Sequence, residues 1–98
     1  MSRSAAIAAL KASCRQIREL GAIGLYLYGS AARDELSADS DVDLFIDYDP
    51  SSEFSFVELV RLQELIRHKL ASKIDLTTTN GLHPLLRADI ERSSIRVF

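Results

Sequence analysis

Residues 41 to 48 alternate regularly between two kinds of side chain. The even positions, from Val42 to Tyr48, are apolar or aromatic, whereas three of the four odd positions are aspartates. Because successive side chains of a strand point to opposite faces, this pattern predicts a strand with one apolar and one largely acidic face. A strand of this kind needs a second layer to cover its apolar face, so the segment predicts a sheet packed against helices.

Further elements are predicted on both sides of this strand. Apolar spacing indicates a helix over residues 5–20, and the apolar run at residues 22–28 indicates a buried strand ending at Gly29-Ser30. A helix after Pro50 begins with a capping box from Ser55 to Glu58. Two more strands are predicted at residues 73–79 and 95–98, with a short helix after Pro84 between them. The prediction is one α/β or α+β domain over residues 1–98, with a small mixed β-sheet flanked by helices.

Two packing expectations follow from the same periodicities. Cys14 falls on the apolar stripe of the first helix and is predicted to be a buried packing residue. Leu85, Leu86 and Ile90 are predicted to pack inward from the last helix.

Composition narrows the class of protein. The 98 residues are 47% hydrophobic and 27% charged with a net charge of −2, which favours a soluble globular chain without general nucleic-acid affinity. A single cysteine excludes an intramolecular disulfide and favours the cytoplasm, and no apolar run is long enough to span a membrane. A domain this small has difficulty burying its apolar surface, so an oligomer or a protein partner is expected.

The acidic residues are concentrated in one segment. Eight of the fourteen Asp and Glu residues lie between Asp34 and Glu53, and no Lys or Arg occurs between Asp34 and Val60. A solvated acidic loop is the usual explanation of such a run. The spacing of its aspartates favours a bound cation instead.

Two motifs in succession predict the chemistry. Gly29 lets the backbone approach a phosphate, and Ser30 adds a hydroxyl donor where a helix can begin. Asp41 and Asp43 lie two apart on a predicted strand, so both carboxylates share one face and suit Mg²⁺, which prefers oxygen ligands. Asp75, on the acidic side of another predicted strand, is a candidate third carboxylate that can bind metal or accept a proton.

The pattern Gly29-Ser30-x-x-Arg33 followed by Ser40-Asp41-x-Asp43-Leu44 resembles the signature of the nucleotidyltransferase superfamily related to DNA polymerase beta, most closely its minimal, MNT-type branch. The resemblance implies the nucleotidyltransferase fold and use of Mg²⁺ with ATP or another nucleoside triphosphate. It also implies residue roles. Gly29, Ser30 and Arg33 would bind the nucleotide, whereas Asp41, Asp43 and Asp75 would be catalytic and bind metal. The sequence departs from the family pattern at Asp34, where glycine is common.

Members of the MNT-type branch are often antitoxins that adenylylate small helical HEPN-type toxins. The resemblance therefore implies AMP transfer to a hydroxyl of such a partner. A binding module that neutralises a partner without catalysis is the alternative, although clustered carboxylates that repel one another bring such a module no benefit. A phosphatase of the haloacid-dehalogenase type is disfavoured because its acidic pair ends an apolar strand, whereas here the apolar positions follow Asp43.

Overall fold

The computed structural model describes residues 1–37 and 40–98 and contains five α-helices and four strands within them. None of the described helices is long and apolar enough to cross a membrane. A 3₁₀ turn at Thr79–Gly81 follows the third strand. The elements, in chain order, are α1 (Arg3–Ala12), α2 (Cys14–Glu19), β1 (Ala22–Tyr28), α3 (Gly29–Ala32), β2 (Val42–Tyr48), α4 (Phe56–Leu70), β3 (Ile74–Thr78), α5 (Arg87–Ser93) and β4 (Ile95–Arg96).

The four strands form one mixed sheet in the order β3-β2-β1-β4. Strand β1 is antiparallel to both β2 and β4, whereas β2 and β3 are parallel. The parallel pair requires a crossover connection, which α4 provides. The predicted mixed sheet flanked by helices is confirmed.

Helices α1, α2 and α4 cover one face of the sheet and close the core there. Helix α4 begins at the predicted capping box, in which Ser55 and Glu58 satisfy each other's backbone N–H groups. Its apolar side buries Leu62, Ile66 and Leu70. They join one cluster with residues from α1, α2 and the strands, including Leu10, Ile17, Leu25, Leu27, Leu44, Ile46 and Leu76.

The prediction of one helix over residues 5–20 is wrong in one respect, because the helix breaks at Ser13. The Ser13 hydroxyl donates to the carbonyl of Ala9 at 3.1 Å, and its backbone N–H donates to Leu10 at 3.1 Å. This tighter turn rotates the following residues, so Ser13 is buried and Cys14 is only half-buried. The predicted burial of Cys14 is therefore incorrect.

The predicted inward packing of Leu85, Leu86 and Ile90 is also wrong. Both leucines are exposed, Leu85 to 85%, and Ile90 is only half-buried. The reason is local: the backbone N–H of Leu85 donates to Nδ1 of His83 at 3.2 Å, which holds a turn before α5 begins. Leu82 enters the core in their place.

Asp34 explains how the loop after α3 forms without a glycine at this position. Its φ of +57° lies in the left-handed region, which Asp and Asn tolerate better than most residues. Its carboxylate accepts the backbone N–H of Arg3 at 2.9 Å, and the Arg3 guanidinium donates to the carbonyl of Ala32 at 2.9 Å. The start of α1 is thereby bound to this loop.

We expect Asp34→Ala to lower the free energy of unfolding by about 1–2 kcal/mol, because alanine tolerates this conformation poorly and cannot accept the Arg3 N–H. Asp34→Asn should stay close to wild type, since asparagine keeps both properties. Urea denaturation measures the two values. Equal losses in both variants would contradict this explanation.

Candidate active site

The sheet topology brings the predicted site residues to one edge. Strand β1 ends where β2 and β3 begin, and we call this the carboxylate edge. In the register of the sheet, Tyr28 lies opposite Asp43, and Asp43 lies beside Asp75. Asp41 immediately precedes β2. The side chains of these positions lie on the sheet face opposite the core, because their strand neighbours Leu27, Val42, Leu44, Ile74 and Leu76 are buried in it.

Gly29 packs directly against Asp43. Its φ is +61°, and a Cβ atom built on it would lie 2.7 Å from Oδ2 of Asp43. Any larger residue would therefore be strained and would displace the carboxylate. Gly29 and Ser30 open the short helix α3, as predicted, and the buried Ala31 and Ala32 anchor it.

The carboxylates repel one another at this edge. Burial, followed by the charges of Asp75 and Asp41, raises the pKa of Asp43 above its usual value. Burial, followed by the charges of Asp43 and Asp75, also raises the pKa of the Tyr28 hydroxyl. In the described part of the chain, none of these three aspartates forms an ion pair with Lys, Arg or His.

The donor chemistry at this edge fits a hard cation. The available ligands are carboxylate oxygens, and a divalent cation would relieve the repulsion that acts on Asp43. Within residues 1–37 and 40–98, no three Asp, Glu, His or Cys side chains are already clustered as a metal site. The structure thus makes Asp43 and Asp75 adjacent and brings the charge of Asp41 near, whereas the three-ligand metal site stays a prediction.

Arg33 lies just after α3 and is exposed. Its guanidinium is 3.3 Å from the carboxylate of Glu35, a surface ion pair that a ligand can displace at little cost. Ser30 accepts the backbone N–H of Glu35 at 2.8 Å through its carbonyl, which closes the loop. Phosphate binding by Gly29, Ser30 and Arg33 stays a prediction.

A cavity of about 210 Å³ on the same open face was not predicted. Tyr26 stacks on Phe45 with ring centroids 4.7 Å apart, and its hydroxyl donates to Asp47 at 3.1 Å. Phe45 is consequently buried although it lies on the acidic side of β2. Thr79, Glu91 and Ser94 complete the lining. The aromatic residues of β1 and β2 were visible in the sequence, but no local pattern relates them to residues near α5.

We expect Asp43→Asn to raise the melting temperature by a few degrees in the absence of divalent cations. A carboxyl group with a raised pKa in the folded state costs stability once pH exceeds that pKa, and asparagine removes this cost at neutral pH. Thermal unfolding at pH 7 with a chelator measures the change.

Asp49→Asn is the control, because it removes one charge from the same acidic segment. Hydrogen bonds from Ser51 hold the pKa of Asp49 below its usual value, so its charge favours the fold and its loss should bring no stabilisation. A melting temperature that rises equally in both variants would indicate a general charge effect and contradict local repulsion at Asp43.

Two known proteins that are similar to this chain are, by name, an adenylyltransferase and a nucleotidyltransferase. A protein of Methanocaldococcus jannaschii named "Putative protein adenylyltransferase MJ1379" is 36% identical over 72 residues, which cover 72% of each chain. A solved structure described as a "putative minimal nucleotidyltransferase" superposes with a TM-score of 0.84 at 27% identity, covering 97% of this chain and 95% of that one.

A more distant structure shares the fold. It is described as a "tri-AMPylated Shewanella oneidensis HEPN toxin in complex with MNT antitoxin", with a TM-score of 0.62, 14% identity, and coverage of 90% of this chain and 68% of that one. Residues 13–98 match the family described as "Polymerase beta, Nucleotidyltransferase". With the strand, turn and carboxylate arrangement described above, this match shows that the chain belongs to the polymerase beta nucleotidyltransferase family.

Proposed function

We propose that this nucleotidyltransferase transfers AMP from ATP to a hydroxyl of a small helical HEPN-type protein, and acts by this modification as its antitoxin. The observation that carries the proposal is the placement of Asp75 beside Asp43, which lies against the backbone of Gly29. The names of the similar proteins, a protein adenylyltransferase and an MNT antitoxin in complex with an AMPylated HEPN toxin, support AMP as the transferred group and a HEPN protein as the acceptor.

The proposed roles follow from position. Gly29 and Ser30, at the end of β1, would hold the triphosphate through backbone N–H groups and a hydroxyl, with Arg33 adding positive charge. Asp41 and Asp43 would hold the Mg²⁺ that accompanies the triphosphate, which when bound neutralises charge on phosphate oxygens, and Asp75 would help to hold a second cation. The protein side chains and the two substrates perform the remaining steps, which are the proton transfer and the bond changes at phosphorus.

Transfer requires the acceptor hydroxyl to lose its proton. In the proposed step the acceptor oxygen bonds to the α-phosphorus, the bond from that phosphorus to the bridging oxygen breaks, and pyrophosphate leaves with the electron pair. Asp75 lies on β3, the strand beside Asp43, and is exposed at the open face. Its carboxylate is therefore available to take the acceptor proton.

We expect ATP binding to depend on Mg²⁺ or Mn²⁺ and to weaken at least tenfold, or about 1.4 kcal/mol, in Asp41→Asn and Asp43→Asn. Removing a carboxylate removes a ligand for the cation that accompanies the triphosphate. Isothermal calorimetry with and without metal measures the effect. Asp49→Asn is again the matched control, and equal ATP affinity in all four proteins would exclude this metal site.

We expect co-expression with the HEPN-type protein of its genomic neighbourhood to add AMP to that protein, detectable by mass spectrometry. Asp75→Asn should retain ATP affinity yet slow transfer by about a hundredfold or more, because a base acts only when the hydroxyl is deprotonated. Transfer to small molecules alone, with none to the protein, would overturn the proposed acceptor. Unchanged transfer in Asp75→Asn would leave the acceptor but remove Asp75 as the base.

A further inference from the structure

Most of the exposed large apolar side chains lie at the end of the sheet opposite the carboxylate edge. We call this the distal end: β1 begins there, and β2 and β3 end there. The side chains that form what we call the distal apolar patch are Ile23, Phe56, Val57, Leu85 and Leu86, all more than half exposed. Large apolar side chains exposed at one end of a domain mark a candidate interaction site.

Packing around Tyr48, the last residue of β2, fixes Phe56 and Val57 at this end. The Phe54 ring stacks on the Tyr48 ring with centroids 4.6 Å apart. A Cβ atom built on Gly21, just before β1, would lie 2.7 Å from the Phe54 ring. Phe56 follows two residues later at the first turn of α4 and is 76% exposed.

The other members reach the distal end by separate routes. Ile23 lies at an irregularity of the β1–β2 pairing, between Ala22 and Gly24, and is turned outward. Leu85 and Leu86 immediately precede Arg87, which lines a small cavity with Tyr48. Three separate segments thus expose apolar side chains at the distal end, while other apolar side chains fill the core.

The charges around the patch are mainly negative. Asp49, Glu53 and Glu58 lie in the connection from Tyr48 into α4, a stretch without Lys or Arg. Of the nearby cations, Arg87 pairs with Glu91 at 3.0 Å and Arg92 pairs with Asp89. Arg61 lies close enough to Glu58 that its charge, after the hydrogen bonds of the capping box, helps to hold the pKa of that carboxyl below its usual value. In the part of the chain that the structure describes, Asp49 and Glu53 form no ion pair.

We propose that the distal apolar patch is the docking site for the acceptor protein, through an apolar surface of that protein bordered by basic residues. The inference rests on the proposed function for the identity of the occupant. Charge complementarity favours a basic partner and disfavours a second copy of this chain, which would bring Asp49 and Glu53 against the same acids.

Docking at the distal end leaves the carboxylate edge free for chemistry. Strand β2 has seven residues, so the two ends are separated by about 20 Å at 3.3 Å per residue. A helix of about 14 residues spans this distance at 1.5 Å per residue. A helical acceptor can therefore bind at the patch and still present its hydroxyl near Asp75.

The test compares patch variants for binding and for transfer, with the co-expressed HEPN-type protein as the probe. Phe56→Ser with Leu85→Ser should weaken binding measured without ATP at least tenfold, and Glu53→Lys should weaken it with a smaller salt dependence. Phe56→Leu with Leu85→Met keeps the patch apolar, and Glu64→Lys changes a charge on the outer side of α4; both should bind like wild type. All variants should bind ATP normally, because none lies at the carboxylate edge.

In transfer assays the serine variant should raise the KM for the protein acceptor at least tenfold and leave kcat nearly unchanged. Wild-type affinity and KM in the serine variant would overturn the docking site even if AMP transfer occurs. Binding that depends on the patch without any AMP transfer would instead overturn the proposed function and keep the docking site. A wild-type homodimer that the serine variant dissociates, seen by sedimentation, would identify the patch as a contact between copies and overturn the proposed occupant.

Discussion

The register between β2 and β3 is the constraint on which the site depends. It sets Asp43 beside Asp75, while the antiparallel pairing of β1 sets Tyr28 and Gly29 against the same carboxylate. A slip of one residue would turn the aspartates of β2 toward the core and its apolar side chains toward solvent. The cost of burying those charges fixes the register, so the core and the candidate site are specified by the same alternation.

The site is arranged at the expense of stability. Asp43 is half-buried beside two other carboxylates, and both its burial and their charges oppose its ionisation. The position next to it requires glycine, because its backbone is left-handed and because a side chain there would collide with the carboxylate. The covered face offsets these costs through the buried side of α4 and the capping box at its start. Stability and reactivity are thus separated onto the two faces of one sheet.

The two ends of the sheet differ in character as well. At the carboxylate edge, acidic side chains lie near a glycine turn, and their mutual repulsion suits a cation that arrives with its phosphates. At the distal end, exposed apolar side chains from three segments are bordered by acids in the connection to α4. In the proposed function, one end would perform the transfer and the other would hold the protein that receives it. The open face between them, with the stacked Tyr26 and Phe45, would lie along the path of that protein.

The sequence by itself determined the parts that depend on local chemistry. The strand of alternating aspartates, the turn at Gly29 and the capping box of α4 follow from spacing and residue type, and these led to the family. Only the tertiary structure decided which strands pair and that Leu82, rather than Leu85, enters the core. Periodicity tells which face of an element is apolar, but it carries no information on whether the core has room for that face. That is settled by contacts between residues distant in the chain, which is also why the distal apolar patch could not be found from the sequence.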